Sequence, residues 1–152
     1  MSDTAATRMQ AKIRRHIPLS EVMGYRIVEL DGRHIVVEAP LAPNVNIHGT
    51  GFAGSIYALG ILTAWAVITQ IIGDAGLDAE LVVAEADIRY RAPIQATIVC
   101  RGAITADRQR SFVERLRGEG RARIDVRVEI GDGPAAVLEA TLHARCSPEA
   151  DL

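Results

Sequence analysis

The stretch that decides the fold is GFAGSIYALGILTAWAVITQIIG, residues 51–73, which contains no charged side chain. From Gly54 to Ile72 apolar residues occupy every face of a helix, and a helix that is apolar all round is buried. Its length approaches the ~20 residues of a membrane span. Polar side chains such as Ser55 and Gln70, the absence of flanking basic residues and amphipathic strands on both sides argue against a span. The stretch therefore predicts a long buried core helix, residues 53–73, and no membrane association.

Six runs with strand character surround this helix, two before it and four after it. Arg121–Ile130 is the clearest, because charged and apolar residues alternate there at period two. Asp31-Gly32 and Gly131-Asp132-Gly133 are typical of hairpin turns, since their residues tolerate positive φ. The predicted strands are Tyr25–Leu30, His34–Ala39, Glu85–Arg91, Thr97–Thr105, Arg121–Ile130 and Ala135–Arg145.

Two further segments are less regular. Residues 1–17 are predicted as an N-terminal helix or tail, with helix-compatible composition from about Thr4 to His16 that ends before Pro18. Asp107–Arg117 places Phe112 and Leu116 among charged residues, which predicts a loop or a short helix rather than a strand.

The order of elements predicts the fold class. Two strands, a long apolar helix and four more strands form an α+β domain when a curved, mostly antiparallel sheet wraps around the helix. This arrangement is the hotdog fold. The chain has 152 residues, close to the usual size of one domain, so we expect a single hotdog domain over residues 1–152.

Composition and charge exclude several functions. The chain has 17 Lys plus Arg against 19 Asp plus Glu, a formal net charge of -2, and no basic block suited to the phosphates of nucleic acid. Its two cysteines and four histidines lie on separate predicted elements without metal-ligand spacing, so we expect no metal site. The first 15 residues contain no apolar run of a secretory signal, and we therefore expect a cytoplasmic protein.

The sequence NVNIHGTGFAGSIYAL, residues 44–59, resembles the loop and helix start of hotdog-fold acyl thioesterases. The likeness is greatest to the thioesterase family typified by the C-terminal half of YiiD, in which Asn-x-Asn leads into Gly-Thr-x-Phe-Ala-Gly-Ser. Ile88-x-Tyr90-x-x-Pro93 is similar to the strand after the central helix in hotdog enzymes. The resemblance implies hydrolysis of acyl-CoA or acyl-carrier-protein thioesters, with coenzyme A as part of the substrate and no other cofactor. It also implies a homodimer or a dimer of dimers.

Thioester hydrolysis requires one group that polarises the carbonyl and another that delivers water. The helix start supplies the first, because its unpaired N–H groups and the positive end of its dipole stabilise an oxyanion. Gly54 and Ser55 are the candidates for this role. Asn46 and His48, with Thr50 assisting, are candidates for orienting and activating the water. A structural role, in which these polar side chains satisfy the amides of the loop, remains open for each of them.

The helix Gly54–Ile72 carries no carboxylate, whereas many hotdog thioesterases have a catalytic Asp or Glu there. Asp87, on the strand predicted to lie beside the helix, is therefore a reserve base, although its alternation with charged neighbours is more typical of a solvated strand face. The missing carboxylate leaves two alternatives open. One is a non-catalytic acyl-CoA-binding hotdog protein, and the other is a hotdog hydratase or dehydratase.

Substrate-binding candidates are of two kinds. Phe52 and Tyr57 are predicted to line an apolar slot for the acyl chain, whereas Trp65 is assigned to the core. Arginine holds phosphates by forked hydrogen bonds, so arginines near the mouth of the site are candidates for the phosphates of coenzyme A. They are Arg89, Arg91, Arg108 and Arg110, each of which is also explicable as surface charge.

Overall fold

The structure, a computed structural model, describes residues 4–147. The helices are α1 Ala5–His16, α2 Leu19–Met23, α3 Ala53–Asp74 and α4 Ala106–Glu119, with a short 3-10 turn at Ala42–Asn44. The strands are β1 Arg26–Leu30, β2 His34–Ala39, β3 Ala79–Tyr90, β4 Ile98–Ala103, β5 Arg121–Ile130 and β6 Ala136–Cys146. The two ends of the predicted domain, residues 1–3 and 148–152, lie outside the described residues.

The six strands form one antiparallel sheet in the order β1-β2-β4-β5-β6-β3, and α3 packs against its inner face. Gly60 permits this close approach, because a Cβ there would lie 3.0 Å from Ile130 Cδ1 and 3.1 Å from Leu138 Cδ1. By length and hydropathy α3 could cross a membrane, but 61% of its most apolar window is buried inside the fold. It is therefore the core helix of the domain, and the predicted α+β hotdog fold is confirmed.

α4 is longer than the sequence indicated. Instead of a loop or short helix, it is a 14-residue helix capped by Thr105 and ended by Gly120 at φ +74°. β4 has only six residues whereas β5 has ten, and α4 packs against the part of β5 that β4 leaves unpaired. Phe112 and Leu116 are its buried residues, and complete burial of such a side chain stabilises the fold by about 2 kcal/mol. Two apolar positions four residues apart form only a narrow apolar stripe on a helix. Among the surrounding charged residues this stripe is too weak a pattern to predict a helix from the sequence.

The β1–β2 turn has the predicted position but a different mechanism. Gly32 does not adopt a positive φ. Instead, the Asp31 carboxylate accepts hydrogen bonds from the backbone N–H groups of Arg33 at 2.8 Å and His34 at 2.7 Å. The connection is therefore held by the aspartate side chain, as Asp does in turns, and not by left-handed backbone at the glycine.

β3 begins six residues earlier than predicted and lies at one edge of the sheet. Its pairing with β6 shifts between Val83 and Glu85, so a bulge interrupts the alternation that identifies a strand. β4, by contrast, lies between β2 and β5. Its inner-face side chains are buried, whereas Val99 on the outer face is half-buried and Arg101 and Ala103 are exposed.

Candidate active site

The first turn of α3 has no side-chain cap, unlike the other two long helices. Thr4 caps α1 and Thr105 caps α4 through their side chains, whereas the residue before α3 is Phe52, which cannot accept a hydrogen bond. The first bond of the helix runs from the Ile56 N–H to the Phe52 carbonyl at 3.0 Å. The N–H groups of residues 53–55 therefore precede the helical hydrogen-bond ladder. Three aligned donors at the positive end of a 22-residue helix form a site for a developing negative charge.

Asn46 organises the loop that leads into this helix. Its Oδ1 accepts from the backbone N–H groups of His48 at 2.9 Å and Thr50 at 3.1 Å. Its Nδ2 donates to the Thr50 hydroxyl at 2.9 Å and, more weakly, to the Gly51 carbonyl at 3.4 Å. These bonds use both lone pairs and both N–H groups of the amide. In this arrangement Asn46 fixes the loop and has no free group with which to orient a water, and Thr50 is part of the same network.

Asn44 holds the base of the loop. Its side chain is 1% exposed, and its Nδ2 donates to the carbonyls of Met23 and Pro40, both at 2.8 Å. Its carbonyl accepts from the Phe52 N–H at 2.7 Å, and the neighbouring Gly51 N–H donates to the Ile94 carbonyl at 2.8 Å. The loop is therefore attached to the body of the domain immediately before α3 begins.

His48 lies at the tip of the loop and is exposed, beside Ile47, which is 95% exposed. Gly49 turns the chain there at φ +78°. Within residues 4–147 the imidazole makes no hydrogen bond or ion pair, and only the backbone N–H of His48 is engaged, by Asn46. Both ring nitrogens are therefore free to form a hydrogen bond with water or with a ligand.

An aromatic surface surrounds the first turn of α3. The Phe52 ring lies against the helix backbone, since a Cβ on Gly54 would be 2.6 Å from Phe52 Cε2. Phe52 is 51% exposed and Tyr57, one turn further along α3, is 37% exposed. Trp65 is half-buried, and its indole N–H donates to the Leu81 carbonyl at 3.2 Å. Apolar groups therefore lie next to the free N–H donors, as a thioester with an acyl chain requires.

Tyr90 also contacts this turn, although the sequence assigned it no role. Its hydroxyl donates a 2.8 Å hydrogen bond to the Ala53 carbonyl. Partial burial, and then the neighbouring Tyr57, raise the pKa of Tyr90 above its usual value, so the hydroxyl stays a donor at neutral pH. Tyr90 follows Ile88 by two positions in the strand, so the two side chains share a face, and Ile88 packs against the core. This alternation is the sequence signal that could have placed Tyr90 on the helix side of β3.

None of the remaining predicted site residues hydrogen-bonds to the first turn of α3 within residues 4–147. Asp87 is exposed opposite Glu139, on the sheet face turned away from α3, because its neighbours Ala86 and Ile88 take the inner face. Arg89 alternates in the same sense and also faces outward. Arg91 is exposed just after β3, where its backbone N–H donates to the Ala135 carbonyl.

The other two predicted arginines lie on α4, from which Arg108 reaches the outer face of the sheet and lines a concavity together with Asp87. Arg108 and Arg110 belong to α4, which packs near the C-terminal end of α3. Arg108 donates to the Asp125 carbonyl and Arg110 lies 3.3 Å from Asp107. Hence the four predicted arginines do not form one phosphate site. No group of three or more potential metal ligands comes together among residues 4–147.

The loop held by Asn44 and Asn46 and the uncapped start of α3 both lie within residues 44–59, the segment whose sequence resembles hotdog-fold thioesterases. A family model described as "Putative thioesterase (yiiD_Cterm)" matches residues 6–141. The chain belongs to this family. The resemblance seen in the sequence is thereby confirmed.

Solved structures with the same fold cover almost the whole chain. A structure described as a putative thioesterase from Shewanella oneidensis is 29% identical, with a TM-score of 0.83 over 96% of this chain and 100% of that one. A protein of unknown function from Chlorobaculum tepidum is 22% identical, with a TM-score of 0.89 over 93% and 94%. A thioesterase from Haemophilus influenzae is 13% identical, with a TM-score of 0.72 over 100% and 97%. At these lower identities the last two comparisons concern the fold alone.

Proposed function

We propose that this member of the family hydrolyses acyl-CoA or acyl-carrier-protein thioesters at the N-terminus of α3. The observation that carries the proposal is the uncapped first turn of a long core helix, beside an aromatic surface and a loop fixed by Asn46. The thioester carbonyl accepts hydrogen bonds from the N–H groups of Gly54 and Ser55. The acyl chain lies along Phe52 and Tyr57, and coenzyme A enters as part of the substrate, with no other cofactor.

The reaction begins when a water adds to the carbonyl carbon. His48 takes a proton from the water, and the two N–H donors hold the oxygen that becomes negative in the tetrahedral intermediate. The C–S bond then breaks, the carbonyl re-forms as the acid, and the sulfur leaves with the proton returned by His48. The exposed imidazole without a partner among residues 4–147 supports this role.

Tyr90 acts as a positioning residue in this scheme. The Ala53 carbonyl and the Gly54 N–H belong to the same planar peptide unit. The hydrogen bond from the Tyr90 hydroxyl to that carbonyl therefore fixes the direction of the N–H, and it polarises the peptide so that the N–H becomes a stronger donor.

A second copy of the chain completes the site in this proposal. Six of the nine large exposed apolar and aromatic side chains of the described residues lie in the loop, at the start of α3 or along β3, which is an edge strand. They are Val45, Ile47, Phe52, Tyr57, Val82 and Tyr90. A long edge strand with unpaired backbone groups is a template for pairing with another strand. Light scattering after gel filtration tests the expected homodimer, or dimer of dimers, and a monomeric mass at working concentration contradicts it.

Hydrolysis of an acyl-CoA series from acetyl to palmitoyl tests the activity. Loss of a general base lowers a rate by about 10²- to 10⁴-fold, so we expect that range for His48→Gln. His16→Gln, at the exposed end of α1, is the matched control and keeps the wild-type rate. The thioester absorbance is followed directly, so that Cys100 and Cys146 do not interfere. Acyl-carrier-protein substrates are assayed in parallel, because either carrier fits the proposal.

Three outcomes are distinguishable. Turnover that depends on chain length and is lost in His48→Gln supports a thioesterase with this base. Turnover that survives in His48→Gln supports the thioesterase but refutes the role of His48. Tight acyl-CoA binding without turnover on either carrier refutes the enzyme and supports the non-catalytic binding protein. A cytoplasmic location remains a prediction, tested by cell fractionation.

A further inference from the structure

The outer face of the sheet is basic at one end. Across β5 and β6, Arg121 lies directly opposite Arg145, and Arg123 directly opposite His143. Like charges in directly opposite positions destabilise a sheet. The next pairs along the same strands are complementary, since the Thr141 hydroxyl donates to Asp125 at 2.6 Å and Arg127 lies 3.8 Å from Glu139. The one pair of like charges, Arg121 and Arg145, therefore lies at the end of the two strands.

These arginines are also without partners. Within residues 4–147, no hydrogen bond or ion pair engages the guanidinium groups of Arg115, Arg121, Arg123 or Arg145. Arg108 and Arg110, on the same helix as Arg115, differ in this respect, because Arg108 donates to a backbone carbonyl and Arg110 is paired with Asp107. The unpaired guanidinium groups retain all of their hydrogen-bonding capacity.

A concavity of about 280 Å³ lies between α4 and these strands, and we call it the arginine pocket. Its charged lining residues are Arg115, Glu119, Arg121, Arg123 and His143. Arg145 adjoins it through Arg121, and Glu80 lies opposite Arg145 on β3. Four arginines against Glu119 and Glu80 leave an excess of positive charge in a chain whose total is -2.

We propose that the arginine pocket binds a phosphoryl anion, of the pyrophosphate or nucleotide bisphosphate class. Planar guanidinium groups bind phosphate oxygens through paired, charge-assisted hydrogen bonds. Such an anion placed between the arginines offsets the repulsion between Arg121 and Arg145, because both are then attracted to a common ligand. Within one chain the pocket is separate from the proposed catalytic groups, because α4 lies near the C-terminal end of α3, about 30 Å of helix away from its N-terminus.

Titration calorimetry with pyrophosphate and with adenosine 3',5'-bisphosphate tests the site on the intact protein. We expect saturable binding that weakens as salt is raised. Arg123→Gln and Arg145→Gln each weaken it about tenfold, as loss of one charge-assisted contact does. Arg101→Gln, an exposed arginine on β4, is the matched control and leaves binding unchanged.

Thermal unfolding supplies a readout that does not depend on catalysis. Because Arg145 opposes Arg121, Arg145→Gln raises the melting temperature of the ligand-free protein, while a fixed concentration of pyrophosphate raises it less in this variant than in the wild type or in Arg101→Gln. A destabilised Arg145→Gln variant, absence of saturable binding, or equal binding by all variants overturns the proposal.

The source of the phosphates is decided by a further comparison. If the pocket holds the nucleotide end of coenzyme A, Arg145→Gln raises KM for acyl-CoA but not for acyl-pantetheine. If it holds a free phosphate compound, the variant binds pyrophosphate about tenfold more weakly while KM for both substrates is unchanged. Both results support a phosphoryl site, and calorimetry remains decisive if the protein turns over neither substrate.

Discussion

Replacing Tyr90 with Phe tests the geometry of the candidate oxyanion site with the loss of one oxygen atom. The hydroxyl lies 2.8 Å from the Ala53 carbonyl oxygen, and Tyr90 is 47% exposed. A neutral hydrogen bond contributes about 0.5–1.5 kcal/mol to stability, and water partly replaces one that is half-exposed. We therefore expect Tyr90→Phe to lower the free energy of unfolding by about 0.5–1 kcal/mol, measured by urea denaturation.

The expected increase in the activation free energy of catalysis is somewhat larger than this loss of stability. Removal of an entire oxyanion donor lowers kcat by about 10²- to 10³-fold. Tyr90 orients the Gly54 N–H and is not itself the donor, so we expect kcat to fall about 3- to 10-fold, equivalent to ~0.7–1.4 kcal/mol in the barrier. KM for the acyl-CoA stays within about twofold, because the ring and the apolar surface remain.

Tyr57→Phe is the comparison variant, because Tyr57 lies on the same surface but its hydroxyl donates no hydrogen bond to the first turn of α3 among the described residues. Its effect is expected in KM rather than in kcat. A Tyr90→Phe enzyme with unchanged kcat and a raised KM would refute the positioning role and place Tyr90 among the substrate contacts. An unchanged kcat in a variant of normal stability would refute it as well.

Three further predictions concern the loop, a turn and the core. Asn46→Ala removes a side chain that makes four hydrogen bonds and is expected to lower the free energy of unfolding by ~1–3 kcal/mol; Asn46→Asp, which keeps the acceptors, should lose less. The backbone N–H groups of Arg33 and then His34 lower the pKa of Asp31, so the wild type exceeds Asp31→Asn in stability at pH 7, and this difference shrinks as pH falls below about 4. A difference in urea midpoints that grows toward acid pH contradicts this sign. Cys100 is 0% exposed, and burial raises its pKa to about 12. A thiol reagent should therefore modify half-buried Cys146 first and Cys100 only on unfolding. Equal labelling rates in the native state would show that the core opens at Cys100.

Much of the fold could be predicted because each pattern was local. The uncharged run 51–73 has one physical outcome in a chain of this size, a helix covered on most faces. Unbroken alternation identified β5 over its observed bounds, Arg121–Ile130. The full length of α4 and the first half of β3 could not be predicted, also for local reasons. In α4 the charged residues outnumber the apolar ones, and in β3 a bulge breaks the alternation.

The candidate site was predictable in part. The loop with Asn46 and His48 and the start of α3 are contiguous in sequence, so their proximity followed from the motif. The sequence did not distinguish the two side chains, and only the hydrogen bonds show that the Asn46 amide is fully used while the His48 ring is free of partners among residues 4–147. Tyr90 lies 37 residues from Ala53, and no local pattern indicates a hydrogen bond over that separation.

By itself the sequence determined which segments are buried, where the helix that carries the candidate site begins and which family the chain resembles, because hydrophobic periodicity and motifs are properties of neighbouring residues. Only the tertiary structure decided which face of the sheet receives Asp87, which end of the fold receives Arg108 and Arg110, and that Arg121 opposes Arg145. The physical reason is that strand register and the order of strands in the sheet bring together residues distant in the chain, and those pairings determine which charges are neutralised and which remain free for a ligand.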